Sequence, residues 1–232
     1  MMMTKFQLTI FFLILSLCGA QAQDVHDLLM RIKAKLDKVN DYTATGKLKT
    51  DIAFIKVPIA NVQVLYKKPD RLRVKKEGGI SIVPKGGLQM NLTNLLNTDH
   101  YAAVAAGEIN SGNTVLKIIK LIPLGEDEEV VLTTLYVDEA QLLIRKTTTT
   151  TRDNGTYETE LSYGKWAEWG LPDKLVFSFN TKNYKLPKGI TFEYEDGEKP
   201  AQTEEMKNRK GKIEIAYSNY IINHGISDAA FK

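Results

Sequence analysis

Side chains able to do chemistry are scattered rather than gathered in this sequence. The three histidines, His26, His100 and His224, sit in separate stretches. None has a second histidine at the spacing that puts two imidazoles on one helix face for a metal. Each reads as a surface or turn residue. There is no G-x-S-x-G elbow, phosphate loop or G-x-G-x-x-G turn. The acidic run Glu126, Asp127, Glu128 and Glu129 lacks the glycine-spaced ligands of a calcium loop and reads as a solvated turn. Trp166 and Trp169, in "GKWAEWGLP", have the faces to stack on a sugar or to anchor a turn in a core, and the second reading is favoured. The expectation is a protein that is not an enzyme, with no catalytic residue, no cofactor and no metal.

Cys18, the single cysteine, lies in "LSLCGAQAQD". Lys5, the apolar run Phe6–Leu17 and Ala20-Gln21-Ala22 together make a secretory signal peptide, residues 1–22. The run is shorter than the roughly 20 residues that span a bilayer. A lipidated cysteine normally follows a small residue, whereas Leu17 precedes Cys18. Cleavage after Ala22 is therefore expected, leaving a soluble chain in the periplasm; an acylated Cys18, the alternative, would tether it to a membrane. Removal of residues 1–22 leaves 210 residues, with 30 Lys and Arg against 28 Asp and Glu and no cysteine. Disulfides and thiol chemistry are then excluded, and the near-neutral charge gives no argument for nucleic acid. One domain over 23–232 suffices, since a chain of this length buries roughly 70 % of its unfolded surface.

The elements that would position any site follow from periodicity. Val25, Leu28, Leu29, Ile32, Leu36 and Val39 form one apolar stripe, which predicts a helix from Asp24 to Asn40 packed on a sheet. From Tyr42 the period becomes two. Strands are expected over Tyr42–Phe54, over Ala60–Lys76 as a pair turning at Lys68-Pro69-Asp70, and as hairpins Tyr101–Ile109 with Thr114–Leu121 and Val130–Val137 with Gln141–Thr150. The threonine run Thr147–Thr151 suits a strand because threonine is β-branched. Asp153-Asn154-Gly155 is a hairpin turn leading into Thr156–Gly164. Leu175–Phe179, Ile190–Tyr194 and Lys212–Ile222 complete the strands. Gly78–Gly87 reads as a short strand and loop, Asn91–Asn97 as a short helix, and Glu198–Arg209 as an exposed loop.

In order, "LYKKPDRLRV", "KLIPLG", "LYVDEAQLLIRK", "YETELSYGKWAEWGLPDKLVFSF" and "YSNYIINHGISDAAF" resemble segments of the periplasmic lipoprotein-carrier family, the LolA-like proteins. The resemblance implies an α+β fold: a strongly curved antiparallel half-barrel, an open β-barrel, whose concave face is covered by the N-terminal helix and short helices. It implies a carrier that holds the acyl chains of lipoproteins, or free lipid, in an apolar cavity and transfers them toward the outer membrane. Its partners would be an inner-membrane donor complex and an outer-membrane acceptor, and it would work as a monomer. A non-transporting binding module or stress-sensor domain with a filled core is the alternative. Strand alternation assigns Val62, Val64, Tyr66, Leu72, Val74, Leu116, Ile118, Leu132, Tyr136, Phe177, Phe179, Ile213 and Ile215 to the lipid-binding face. Leu92, Leu95 and Leu96 would form a lid, and Lys68 stands where the resembling family places an arginine latch. Lysine cannot make that residue's planar bidentate contact.

Overall fold

The amphipathic stripe folds as expected into a helix, α1, over residues 24–36, burying Val25, Leu28, Leu29 and Ile32 to 5 % exposure or less. The computed structural model describes residues 24–52, 55–56, 58–76, 96, 100–125, 128–153, 155–180 and 210–231. The helix stops four residues before Asn40. Lys38 N–H and Val39 N–H donate to the carbonyls of Lys35 and Leu36, three residues back, at 3.3 and 3.1 Å. This tighter closure ends the ladder. Val39 stays buried, but in a separate cluster with Ala44, Val64 and Tyr66.

The strands are β1 (Asp41–Ile52), β2 (Ile55–Lys56), β3 (Ala60–Lys67), β4 (Arg71–Lys76), β5 (Tyr101–Ser111), β6 (Thr114–Pro123), β7 (Val130–Asp138), β8 (Leu143–Thr151), β9 (Gly155–Ser162), β10 (Lys174–Asn180) and β11 (Lys210–Ile222). All pair antiparallel in one sheet of order β4-β3-β1-β11-β10-β9-β8-β7-β6-β5, with β2 on β1. Among the described residues the outer strands β4 and β5 do not pair with each other, which leaves the barrel open. Most pairings join strands adjacent in sequence; β1 with β11 is the long-range exception that brings the first and last strands together. The threonine run forms β8, with Thr147, Thr149 and Thr151 buried in alternation. The expected elements over 78–87, 91–95, 190–194 and 198–209 lie outside the described residues.

One register shift sits at Thr45/Gly46, opposite β11. A Cβ on Gly46 would overlap the carbonyl oxygen of Ala216. Only glycine lets the two backbones approach so closely at this bulge.

Candidate functional site

Strand alternation gives the sheet an inner face, the one that carries α1. Three apolar clusters lie along it. Beneath α1, the helix residues meet Ile119, Leu121, Leu135, Val137, Ile144 and Leu161. Leu48, Val62, Phe177, Phe179, Ile213 and Ile215 make the second cluster. The third holds Ala44, Val64, Tyr66, Trp166, Leu171 and Tyr220. Leu175 packs against the first and second clusters, while Val74 and Tyr217 pack against the second and third, so the face is continuous.

The structure gathers nine of the thirteen expected lining residues there: Val62, Val64, Tyr66, Leu72, Val74, Phe177, Phe179, Ile213 and Ile215. Leu116, Ile118, Leu132 and Tyr136 take the other phase. Ile118 pairs with Tyr136, whereas the neighbouring pair Ile119 and Leu135 lies under the helix. Strand β6 is apolar in both phases, so its pattern could not reveal which set faces inward. A one-residue choice moves a whole strand's side chains across the sheet. On β6 and β7 the inner residues that sequence reasoning missed are Ile119, Leu121, Leu135 and Val137; elsewhere on the face it also passed over Ala44, Leu48, Ile144, Leu161 and Tyr220.

Polar contacts hold α1 at both ends. Lys117 reaches Asp24 at 3.2 Å and Glu139 at 2.8 Å, and Arg31 meets Glu139 at 3.6 Å. The hydrogen bond to Glu139 is the chief reason the Lys117 ammonium holds its proton more tightly than usual. Lys35 Nζ donates to the Gln141 carbonyl at 2.7 Å. At the C-terminal end, where Lys35 also lies, Lys68 Nζ donates to the Asp37 main-chain carbonyl at 2.6 Å and pairs with its carboxylate at 3.0 Å. Lys33 binds the second carboxylate oxygen at 2.6 Å. Burial opposes ionisation of Asp37, but the hydrogen bonds from Lys33 and Lys68 outweigh it and keep the carboxyl below its ordinary range. Lys68 thus clamps the end of α1. Of the expected lid, Leu96 is 1 % exposed and sits in the cluster under α1, while Leu92 and Leu95 lie outside the described residues.

The third cluster is aromatic. Tyr42 lies 5.2 Å from Tyr66 and 5.3 Å from Tyr220, and Trp166 meets Tyr220 edge-on at 4.9 Å. Burial pushes the Tyr42, Tyr217 and Tyr220 phenols well above their ordinary value, so they stay neutral. Trp166 is an anchor in the core, and Trp169 packs beside it. Gly170, at φ +68°, turns the chain under Leu36 of α1. The tail is tied in as well. Asp41 Oδ1 accepts from the backbone N–H groups of His224 and Gly225 at 2.9 and 3.0 Å, and Asn223 Nδ2 donates to the Lys38 carbonyl at 2.8 Å.

A cavity of about 730 Å³ opens around the Gly46 bulge, lined chiefly by the outward-facing Thr45, Lys47, Asn61, Gln63, Lys75 and Ser218. His26 lies on α1, His100 just before β5 and His224 in the tail. Among the described residues no helix is long and apolar enough to cross a membrane.

By sequence, the chain matches no protein-family model and no curated protein. Three solved structures share its fold. A DUF1329 family protein from Desulfovibrio piger superposes with a TM-score of 0.59 at 15 % identity, over 91 % of this chain and 97 % of that one. A domain from Vibrio parahaemolyticus, described as an outer membrane lipoprotein-sorting protein domain, gives 0.58 at 10 % identity, over 90 % and 97 %. A LolA superfamily protein from Nitrosomonas europaea gives 0.53 at 10 % identity, over 88 % and 96 %. The ordered strands, the open edges and the helix laid across the inner face are thus those of the half-barrel fold found in the LolA superfamily.

Proposed function

We propose that this protein is a periplasmic carrier that holds acyl chains of lipoproteins or other lipids on the inner face and delivers them toward the outer membrane. The observation that carries this reading is the way α1 is held. An apolar helix stripe lies on a continuous apolar face, and its ends are fastened by exposed or half-exposed ion pairs. Surface pairs of this kind contribute only about 0–1 kcal/mol each. An acyl chain gains roughly 0.8 kcal/mol for each buried CH₂. The four buried stripe residues of α1 hold it with roughly 1.5–3 kcal/mol each, the same order as the burial of an acyl chain of ordinary length. Cargo therefore competes with the helix stripe for the face, while the ion pairs add little to hold the cover down. The likeness to lipoprotein-sorting structures supports the same reading, with a donor in the inner membrane and an acceptor in the outer one as partners.

A second reading has its own support. Every buried residue in the cluster under α1 is 6 % exposed or less, so that part of the face is filled by the chain's own side chains. A non-transporting binding module, or a sensor domain, would look like this. Native mass spectrometry of the protein purified from the periplasm separates the two. Co-purified lipid or lipoprotein, displaceable by a fluorescent fatty-acyl probe, supports the carrier. A bare mass together with no probe binding would leave the module.

A further inference from the structure

The inner face is not uniformly apolar. Strands β7, β8 and β9 place Thr133, Thr149 and Tyr157 in one cross-strand row. Leu121 precedes this row on β6 and Phe179 follows it on β10. A second row runs Leu135, Thr147, Thr159, Phe177. A band of hydroxyls therefore lies between the cluster under α1 and the Phe177–Phe179 cluster. Thr133 and Thr149 are 0 % and 2 % exposed. Hydroxyls buried so fully need partners.

The first row supplies partners to itself. The Thr133 and Thr149 hydroxyls lie 3.2 Å apart, and Thr149 is hydrogen-bonded to the Tyr157 hydroxyl. Each hydroxyl carries one proton to donate. Two bonds among three hydroxyls use two protons, whichever way the chain runs, and leave one for a further acceptor. Hydrogen bonds in such a chain polarise one another, so the last donor is a strengthened one. Tyr157 is the half-buried end, and its ring packs on Phe177 at 5.2 Å.

We propose that the Thr133–Thr149–Tyr157 hydroxyl chain recognises one ester carbonyl oxygen of a diacylglyceryl group, with the flanking clusters taking its hydrocarbon. The assignment rests on the reading of the inner face as an acyl site, and it names the ligand class: esterified chains rather than plain alkyl chains. A carbonyl is an acceptor only, which matches the one donor left over. The ligand reaches the row when the cover over the inner face lifts.

The test compares two lipids that differ only in those carbonyls, dipalmitoyl phosphatidylglycerol and its di-O-hexadecyl ether, as competitors of a fluorescent fatty-acyl probe. The wild type should prefer the diester by roughly three- to tenfold, the range for one net hydrogen bond. In Thr149→Val and in Tyr157→Phe the ratio should fall toward one. Tyr157→Phe keeps the ring on Phe177 and serves where the valine variant fails to fold. The same pair of measurements with an S-diacylglyceryl cysteine peptide and its dialkyl ether tells whether the carbonyls belong to a lipidated protein or to a free phospholipid: the source is the one with the larger diester preference. Equal wild-type affinity for diester and diether, or a ratio unchanged in both variants, overturns the assignment and leaves acyl binding standing. Failure of the wild type to bind either lipid removes both.

Discussion

Replacing Lys68 by methionine should loosen the end of α1 more than replacing its acidic partner. Lys68 Nζ serves two acceptors on one residue, the Asp37 main-chain carbonyl at 2.6 Å and the carboxylate at 3.0 Å. Asp37→Asn removes the charge but leaves the carbonyl bond; Lys68→Met removes both. The carbonyl belongs to Asp37, the residue that follows the last helical residue Leu36, where a cation also meets the negative end of the dipole. A charge-assisted bond is worth about 1.5–3 kcal/mol when buried. With the Lys68 side chain 27 % exposed, we expect about 1–1.5 kcal/mol after discounting for solvent. Asp37 at 35 % exposure, shared by two lysines, should cost about 0.5 kcal/mol. For a domain of this size these losses lower Tm by roughly 3–5 °C and 1–2 °C respectively. Arginine at position 68 offers a fork to both oxygens and should hold the helix at least as well.

Thermal melts at neutral pH measure the order, and hydrogen exchange at the Asp37 and Lys38 amides locates it. The folded carboxyl of Asp37 titrates below its unfolded value. Its contribution is therefore complete above the unfolded pKa, about 4, and disappears as pH falls through the lower folded value. The gap between wild type and Asp37→Asn should close in that window. An Asp37→Asn variant at least as destabilised as Lys68→Met, or a gap that persists at the lowest pH at which the fold survives, would refute the assignment of Lys68 as the helix clamp.

Three further outcomes follow from the geometry. Asp41→Ala strips the acceptor from the His224 and Gly225 N–H groups, and should cost about 2 kcal/mol and expose the tail after Ile222 to limited proteolysis. Gly46→Ala sets a Cβ against the Ala216 backbone and should cost at least about 3 kcal/mol by chemical denaturation, whereas Gly112→Ala, whose Cβ meets nothing within 4 Å, should cost about 1 kcal/mol for its left-handed φ alone. N-terminal analysis of the exported protein should find Gln23 unmodified, and an acylated Cys18 would place the protein on a membrane.

What the sequence determined by itself was local. The stripe of Val25, Leu28, Leu29 and Ile32 repeats within a few residues, so α1 and its buried side were legible, as were the hairpins turning at Pro69 and around Asp138. The β-branched run Thr147–Thr151 announced a strand for the same reason. Tertiary structure decided what depends on register. In β6, Leu116, Ile118 and Ile122 compete with Ile119 and Leu121 for the inner face; shifts at Ala105/Glu108 and Val130/Leu132 reset the phase of its neighbours β5 and β7, and the shift at Tyr136/Val137 resets that of β8. Only the ladder aligns Thr133, Thr149 and Tyr157 into one row. Lys68 was conspicuous in the chain, yet its partner Asp37 is 31 residues away and was found by the fold. Periodicity is a short-range property that one strand carries alone, whereas which face it buries is settled by cross-strand pairing and by the helix laid against it.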